Sequence, residues 1–270
     1  MMSKIKTTLN MLFVFVACVI SLFPYLIIIV ASFNNTVNIR KGDIMTNISF
    51  NNLRANFLSL TSDVQFYVSL KNTLIVTLFS VILGVLLSSL AGYAFVVFKN
   101  KLMEKMFKIS FLSIMIPSSV IIIPLFMILR SLNILDSLFS IIITSLSLPF
   151  LVYLFRQNTK LFPMELIKAA RIDGVSEIGI FFRVYIPNMI PAFVTASVIL
   201  FIDAWNGFLY PLVIIQSQKN MTLALYINSI GKSYTTDYGS FMLTLLFSTL
   251  PIILLFVFAQ KYFRKGMQVL

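Results

Sequence analysis

The chain contains no histidine, one cysteine and nine acidic residues among 270. Without imidazole there is neither a histidine general base nor a histidine metal ligand. The single thiol, Cys18, can close no disulfide within the chain and cannot build a thiolate cluster. Lying in an apolar run, it reads as a small buried side chain. Charge of either sign is scarce, at 11% of residues, whereas 59% are hydrophobic and the mean hydropathy is +0.96. A soluble core does not need that much apolar surface, so the composition is that of a polytopic membrane protein. No internal repeat and no low-complexity tract is evident, and the chain reads as one membrane domain over 1–270 with no soluble domain.

A membrane-spanning helix takes about 20 apolar residues. Runs at 11–33, 72–98, 107–129, 137–155, 189–215 and 240–262 supply six, giving an all-α fold. The first run follows Lys4 and Lys6, as a secretory signal would. It is longer than the ~7–15 residues of a signal's apolar region and contains Pro24, so it is read as an uncleaved first span.

The net charge of +12 is distributed as a topology signal rather than as a nucleic-acid surface. With the N-terminus inside and six crossings, 14 of the 21 Lys and Arg residues fall on the inner side and seven on the outer. That bias predicts N-in and C-in. The basic stretch 99–108 then reads as an anchor to anionic lipid headgroups at the inner surface. On the outer side, residues 34–71 form a polar loop in which Phe50, Leu53, Phe57 and Leu60 recur at helical spacing. Two readings fit that stripe, a face resting on the membrane or neighbouring helices and a face meeting an extracellular partner.

The inner connection at 156–188 is the largest cytoplasmic element. Pro163 is placed to open a helix, Glu165 complements its positive end and Arg171 its negative end. Gly174 supplies a left-handed stop, after which Asp173 or Ser176 can cap a second helix running through Tyr185 to a break at Pro187. Leu166, Ala169, Ala170 and Asp173 fall at i, i+3, i+4 and i+7 and are expected to share one face, where the alanines admit close approach by another surface. An amphipathic helix lying on the inner leaflet fits the same pattern.

Within the fifth span, Asp203 is the one evident intramembrane acid. A carboxylate there costs about 2.5–3.5 kcal/mol on insertion scales, so it is expected to face a polar cavity or a partner. Asn206 and Tyr210 follow at three and seven residues, and Gly207 and Pro211 weaken the helix, as where irregular backbone lines a cavity. Trp205 lies off that face, at a helix seam, in an interface belt or against a ligand. The face suits a sugar, and it equally suits a polar contact to a companion subunit. Gly231-Lys232-Ser233 imitates the end of a phosphate loop, but the required first glycine is replaced by Tyr226, so no nucleotide site is expected.

The order Pro163, Glu165, Leu166, Ala169, Ala170, Asp173, Gly174, Pro187 resembles the EAA loop of ABC importer permeases of the carbohydrate type. Lys168 stands where that family usually has glutamate. The resemblance extends through SLKNT (69–73), AGYAF (91–95), Pro124-Leu125, NILD (133–136), the Trp205, Asn206, Phe208, Pro211, Leu212 pattern and FAQKYFRKG (258–266). It implies a type I, MetI-like permease in the bacterial inner (plasma) membrane that performs no chemistry itself. It also implies a second homologous permease, a dimer of ATP-binding subunits holding ATP and Mg, and an extracellular solute-binding protein. Glu165, Leu166, Lys168, Ala169, Ala170, Asp173 and Gly174 are then the ATPase-coupling residues. Asp203, Trp205, Asn206 and Tyr210 are candidates for the substrate pathway, for a sugar, an oligosaccharide or another small polar solute. A stand-alone ion-coupled transporter would need further membrane acids and paired broken helices. An intramembrane enzyme would need a Ser–Lys or paired-Asp site.

Overall fold

The computed structural model describes residues 2–45, 48–146, 148–232 and 237–267, with side chains described between Thr7 and Lys261. Ser233 of the phosphate-loop imitation and the side chains of Lys4, Lys6, Arg264 and Lys265 fall outside the described set. Every regular element is helical among these residues. In chain order they are α1 (Met2–Ser32), α2 (Thr36–Arg40), α3 (Phe50–Ser62), α4 (Val64–Val97), α5 (Lys101–Leu112), α6 (Ser118–Ser131), α7 (Leu138–Ser145) and α8 (Pro149–Lys160). They continue with α9 (Met164–Ile172), α10 (Glu177–Ile180), α11 (Ile186–Asn188), α12 (Ile190–Trp205), α13 (Leu209–Ile214), α14 (Leu223–Gly231) and α15 (Tyr238–Met267).

Among the described residues, four segments are long and apolar enough to cross a bilayer unaided: Thr7–Ser32, Val64–Val97, Ile190–Ile214 and Tyr238–Lys261. Two bent pairs, α5 with α6 and α7 with α8, bring the crossings to six when each pair counts once. The sequence pattern predicts one straight helix for the third crossing, but α5 and α6 meet at 107°. Pro117 explains the break. It holds Ile116 extended (φ −83°, ψ 117°) and opens α6, so the ladder cannot continue through it. The second crossing begins at Val64 rather than at 72, and its 34 residues span ~51 Å, well beyond the hydrocarbon core.

The chain divides into two compact units. The first comprises residues 1–67 and 226–251. Its α1 is exposed along the whole membrane window, and Cys18 is exposed with it rather than buried as expected. The outer loop is helical, as its spacing predicts, but its inward residues are Asn56 and Leu60, while Phe50 and Phe57 are exposed. Asn56 wins the inward position by donating to two carbonyls, Ser32 O and Asn34 O, each at 2.9 Å. Buried polar groups need such partners more than phenyl rings need cover.

The second unit comprises residues 68–225 and 252–270. Along α4, Ser69, Thr73, Thr77, Ser80 and Ser88 are buried at helical spacing, with Gly84 and Gly92 on the same stripe. Small residues let helices approach closely where lipid offers no hydrophobic drive for association. At Gly92 the backbone of α8 comes so near that an added Cβ would sit 2.8 Å from Arg156 N. Beneath the stripe's inner end lies the unit's core, centred on Tyr93, Phe155, Phe162, Phe181 and Tyr185. Arg156, 6% exposed, is held in this unit by Glu104 at 2.6 Å and by the Phe107 ring 3.8 Å away.

Asn133 and Asp136 of the NILD segment adopt left-handed backbones (φ 56° and 53°), which Asn and Asp tolerate better than most residues. Asp136 Oδ1 then accepts from Gln216 N, Ser217 N and Ser217 Oγ at 2.9–3.0 Å, clasping the turn before α7 to the segment after α13. Burial pushes the Asp136 carboxyl up, but the Ser217 hydroxyl and the backbone N–H groups outweigh it and hold the group below the usual carboxylate range. A lowered folded value means the clasp is fully effective above the unfolded value of about 3.9 and is lost as pH falls through the folded one. Asp136→Asn should therefore lower the melting midpoint at pH 7, and the gap to the parent should narrow in acid. A pH-independent gap would assign the effect to packing instead.

Candidate functional site

The loop between the fourth and fifth crossings folds as a rigid bracket. Pro163 (φ −67°, ψ 101°) precedes α9, with Glu165 in its first turn and Arg171 in its last. The helix closes through Gly174 N to Arg171 O (3.1 Å) and Val175 N to Ala170 O (3.0 Å). Gly174 sits at φ +76°, the left-handed stop that its position predicts. Of the two candidate caps it is Ser176 that serves, its Oγ accepting from Gly179 N at 3.2 Å. From there α10, a π-helical turn over Phe181–Tyr185 and α11 carry the chain through Pro187 to Met189.

The two alanines part company. Ile167 and Ala170 are buried in the unit's core, whereas Ala169 is exposed together with Glu165, Leu166, Lys168, Asp173 and Gly174. Ile172 is 87% exposed, and Ile178 and Phe182 are also uncovered. The outward surface thus mixes Leu166, Ala169, Ile172 and Ile178 with charged neighbours.

What makes the bracket stiff is not visible in the motif. Arg171 Nε donates to Glu177 Oε1 at 2.6 Å, bridging the glycine turn, and Tyr93 Oη donates to Glu177 Oε2 at 3.4 Å. The Arg171 hydrogen bond holds the Glu177 carboxyl below its ordinary range against the opposing effect of burial. Tyr185 stacks on Phe181 at 5.4 Å and meets Tyr93 edge-on at 4.9 Å. Its hydroxyl shares a 2.6 Å hydrogen bond with Thr159 Oγ1. Burial pushes the Tyr185 phenol up to about 12, although the Thr159 bond pulls the other way. Aromatic pairs of this kind contribute about 0.5–1.5 kcal/mol each beyond their buried area.

The second candidate region is a cavity of about 400 Å³ in the same unit. It forms where the fifth crossing is interrupted: α12 stops at Trp205, Asn206 takes the C-cap position (φ −87°, ψ 0°), and α13 starts at Leu209. Asp203, Asn206 and Tyr210 all line it, brought together across a broken helix rather than along one continuous face. Thr73, the last residue of the SLKNT segment, and Thr222, which no sequence pattern singles out, line it as well, and the buried Thr222 Oγ1 has no hydrogen-bond partner. Neither Lys nor Arg lines the cavity among the described residues. Trp205 is not part of it; the ring is 3% exposed and stacks on Phe201 at 5.6 Å with the planes 7° apart.

Residues 80–269 match the family of binding-protein-dependent transport system inner membrane components. The chain is 34% identical over 252 residues to the lactose transport system permease protein LacG of Rhizobium radiobacter, covering 93% of this chain and 91% of that one. It is 31% identical over 259 residues to the arabinooligosaccharides transport system permease protein AraQ of Halalkalibacterium halodurans, covering 95% and 92%. Among solved structures, its fold matches a chain of a bacterial ABC transporter involved in the import of the acidic polysaccharide alginate. That match has a TM-score of 0.84 at 22% identity and covers 96% of this chain and 97% of that one.

Proposed function

Because the chain belongs to the binding-protein-dependent transport system inner membrane components, we propose that it lines the translocation pathway of an ATP-driven importer for a sugar or oligosaccharide. An extracellular binding protein delivers the cargo, a second homologous permease completes the pathway, and two ATP-binding subunits hold ATP and Mg and carry out hydrolysis. This chain performs no chemistry. The similarity to sugar and oligosaccharide permeases over more than nine-tenths of the chain supports the cargo class.

The observation that carries the mechanism is the bracket. Its α9 is fixed from behind by Ile167, Ala170 and the aromatic core, yet leaves Leu166, Ala169 and Ile172 uncovered, as α10 leaves Ile178. A helix of nine residues would be marginal alone in water. Anchored in this way, it can seat on an ATP-binding subunit and transmit movement without bending. Glu165, Lys168, Asp173 and Gly174 frame the seat. Coupling follows if nucleotide-bound ATPase fits α9 better in one of the two access states than in the other. Co-purification of the ATP-binding subunit with the parent chain, and its loss when Ile172 and Ile178 are both changed to Asp, tests this seating.

Asp203, Asn206 and Tyr210 supply the polar lining for the cargo. With one carboxylate and no cation in the lining among the described residues, the cavity suits an uncharged polyhydroxyl solute better than a phosphorylated or uronic one. Hydrogen bonds to a charged group contribute about 1.5–3 kcal/mol. Asp203→Ala should accordingly raise the KM for uptake about tenfold or more, with Cys18→Ala as the silent control. Equal, negligible effects of the two would remove Asp203 from the pathway.

A further inference from the structure

A second cavity, about 510 Å³ in volume, lies where the inner end of α4 meets the end of α8 and the back of α9. Its wall carries five cations, Lys99, Arg156, Lys160, Lys168 and Arg171, and no carboxylate among the described residues. Apolar side chains, among them Phe95, Val97 and Ile167, fill the rest. Two of the cations are already paired, Arg156 with Glu104 and Arg171 with Glu177. Lys99, Lys160 and Lys168 are exposed and make no ion pair among the described residues. The buried Arg156 Nε has no hydrogen-bond partner, so even the paired guanidinium is incompletely satisfied.

We propose that this cavity binds the phosphodiester headgroup of an anionic phospholipid, with Lys99 and Lys160 as its principal contacts. The site's composition argues for a lipid rather than an acidic protein segment. Cations and apolar side chains share one wall at the very end of a membrane-crossing helix, which matches an amphiphile whose charge sits at the bilayer surface. Val97 is the last residue of the α4 crossing and Lys99 follows two residues later. Basic pockets between transmembrane helices on the inner side are established hosts for such headgroups in general. The inference rests on the proposed inward placement of the α8–α9 connection. A headgroup held there would touch α9 through Ile167 at its back and through the exposed Lys168, and so tie the bracket to the leaflet composition.

The assembled importer, in nanodiscs of phosphatidylglycerol and phosphatidylcholine in equal parts, provides the test. After extraction into detergent, native mass spectrometry reads the lipid retained on the permease. Retention of phosphatidylglycerol over phosphatidylcholine is expected, displaced by high salt. A surface cation contributes roughly a fivefold change in anionic-lipid affinity, so Lys99→Gln with Lys160→Gln should weaken retention about 30-fold. Both side chains are exposed, and neither substitution removes a buried partner. Inorganic phosphate added to discs of phosphatidylcholine alone should leave no phosphate adduct on the permease in the same spectra. A phosphate adduct without preferential retention of phosphatidylglycerol would overturn the lipid assignment. So would equal retention in parent and variant, or a variant that loses the ATP-binding subunit while keeping its lipid, which would identify the cavity as a protein contact. If the parent itself fails to hold the ATP-binding subunit, the transport reading fails instead, and the two failures are distinguishable in one spectrum.

Discussion

Gly174→Pro should leave the protein folded and inserted while cutting uptake about 100-fold, the scale of a 1 Å displacement at a coupled site. Three features of the turn meet in this substitution. Gly174 holds φ +76°, a region proline cannot enter because its ring fixes φ near −65°. Its N–H, which closes α9 onto Arg171 O, would be absent. Asp173, at φ −71° and ψ 2°, would be pushed out of its conformation by the following ring. The turn itself is open, with nothing within 4 Å of a built Cβ, so the damage is to direction rather than to packing. Gly174→Ala is the matched control. It fits the space and incurs only the left-handed penalty of about 1–2 kcal/mol, so it should retain most transport. Uptake and ATP turnover measured on both variants, with surface expression checked, decide the matter. Parental transport by the proline variant would remove α9 from the coupling pathway.

The parts of this fold that a single chain segment specifies are legible in the sequence. Spans announce themselves by about 20 apolar residues in a row, and the loop helix by a proline at its start, charges matched to its ends and a glycine after it. Facing directions are less legible. The spacing of Leu166, Ala169, Ala170 and Asp173 describes a face but does not say which neighbour covers it, and the core takes Ala170 together with Ile167. Likewise Phe50 and Phe57 obey helical spacing, yet the inward position falls to Asn56 because two carbonyls need a donor. Long-range pairs carry no local signal at all. Glu104 is 52 residues from Arg156, and Tyr93 is 84 from Glu177. The bend at Pro117 is ambiguous in the sequence, since proline kinks some membrane helices and ends others.

The same limits shape the two site regions. Asp203, Asn206 and Tyr210 are neighbours on an ideal helix, and they do line one cavity, but by a different geometry. The helix ends between them, and the short α13 returns Tyr210 to the same space. Trp205, next to Asn206 in sequence, is still within α12, and it stacks on Phe201 one turn earlier in the same helix, away from the cavity. Thr73 closes the SLKNT pattern, but that pattern does not place it in a cavity, and Thr222 has no signal beyond polarity in an apolar context.

Gly92→Ala and Gly84→Ala, the same chemical change eight residues apart on α4, should give sharply different results. In a helix interior alanine is favoured over glycine by about 1 kcal/mol, so each substitution starts with a small gain. At Gly84 the nearest atoms to the new Cβ are Leu200 Cδ2 (2.5 Å) and Leu148 Cδ1 (2.7 Å), the ends of flexible side chains that can turn aside. At Gly92 they are Phe155 Cβ (2.5 Å), Arg156 N (2.8 Å) and Phe155 C (3.0 Å), which belong to the α8 main chain or are fixed to it. No rotamer relieves that contact. α8 cannot retreat easily either, because Arg156 is pinned by Glu104 and Phe107 and Thr159 by Tyr185. Overpacking of this kind costs about 1–3 kcal/mol, and Gly92→Ala belongs at the upper end. Because Tyr93 and Phe155 also back the α9 bracket, the same variant should lose coupling: basal ATP turnover persists while cargo-stimulated turnover falls. Thermal unfolding of both variants in detergent should show Gly84→Ala near the parent and Gly92→Ala well below it. The reverse order would mean that the small-residue stripe on α4 does not set the distance between these helices.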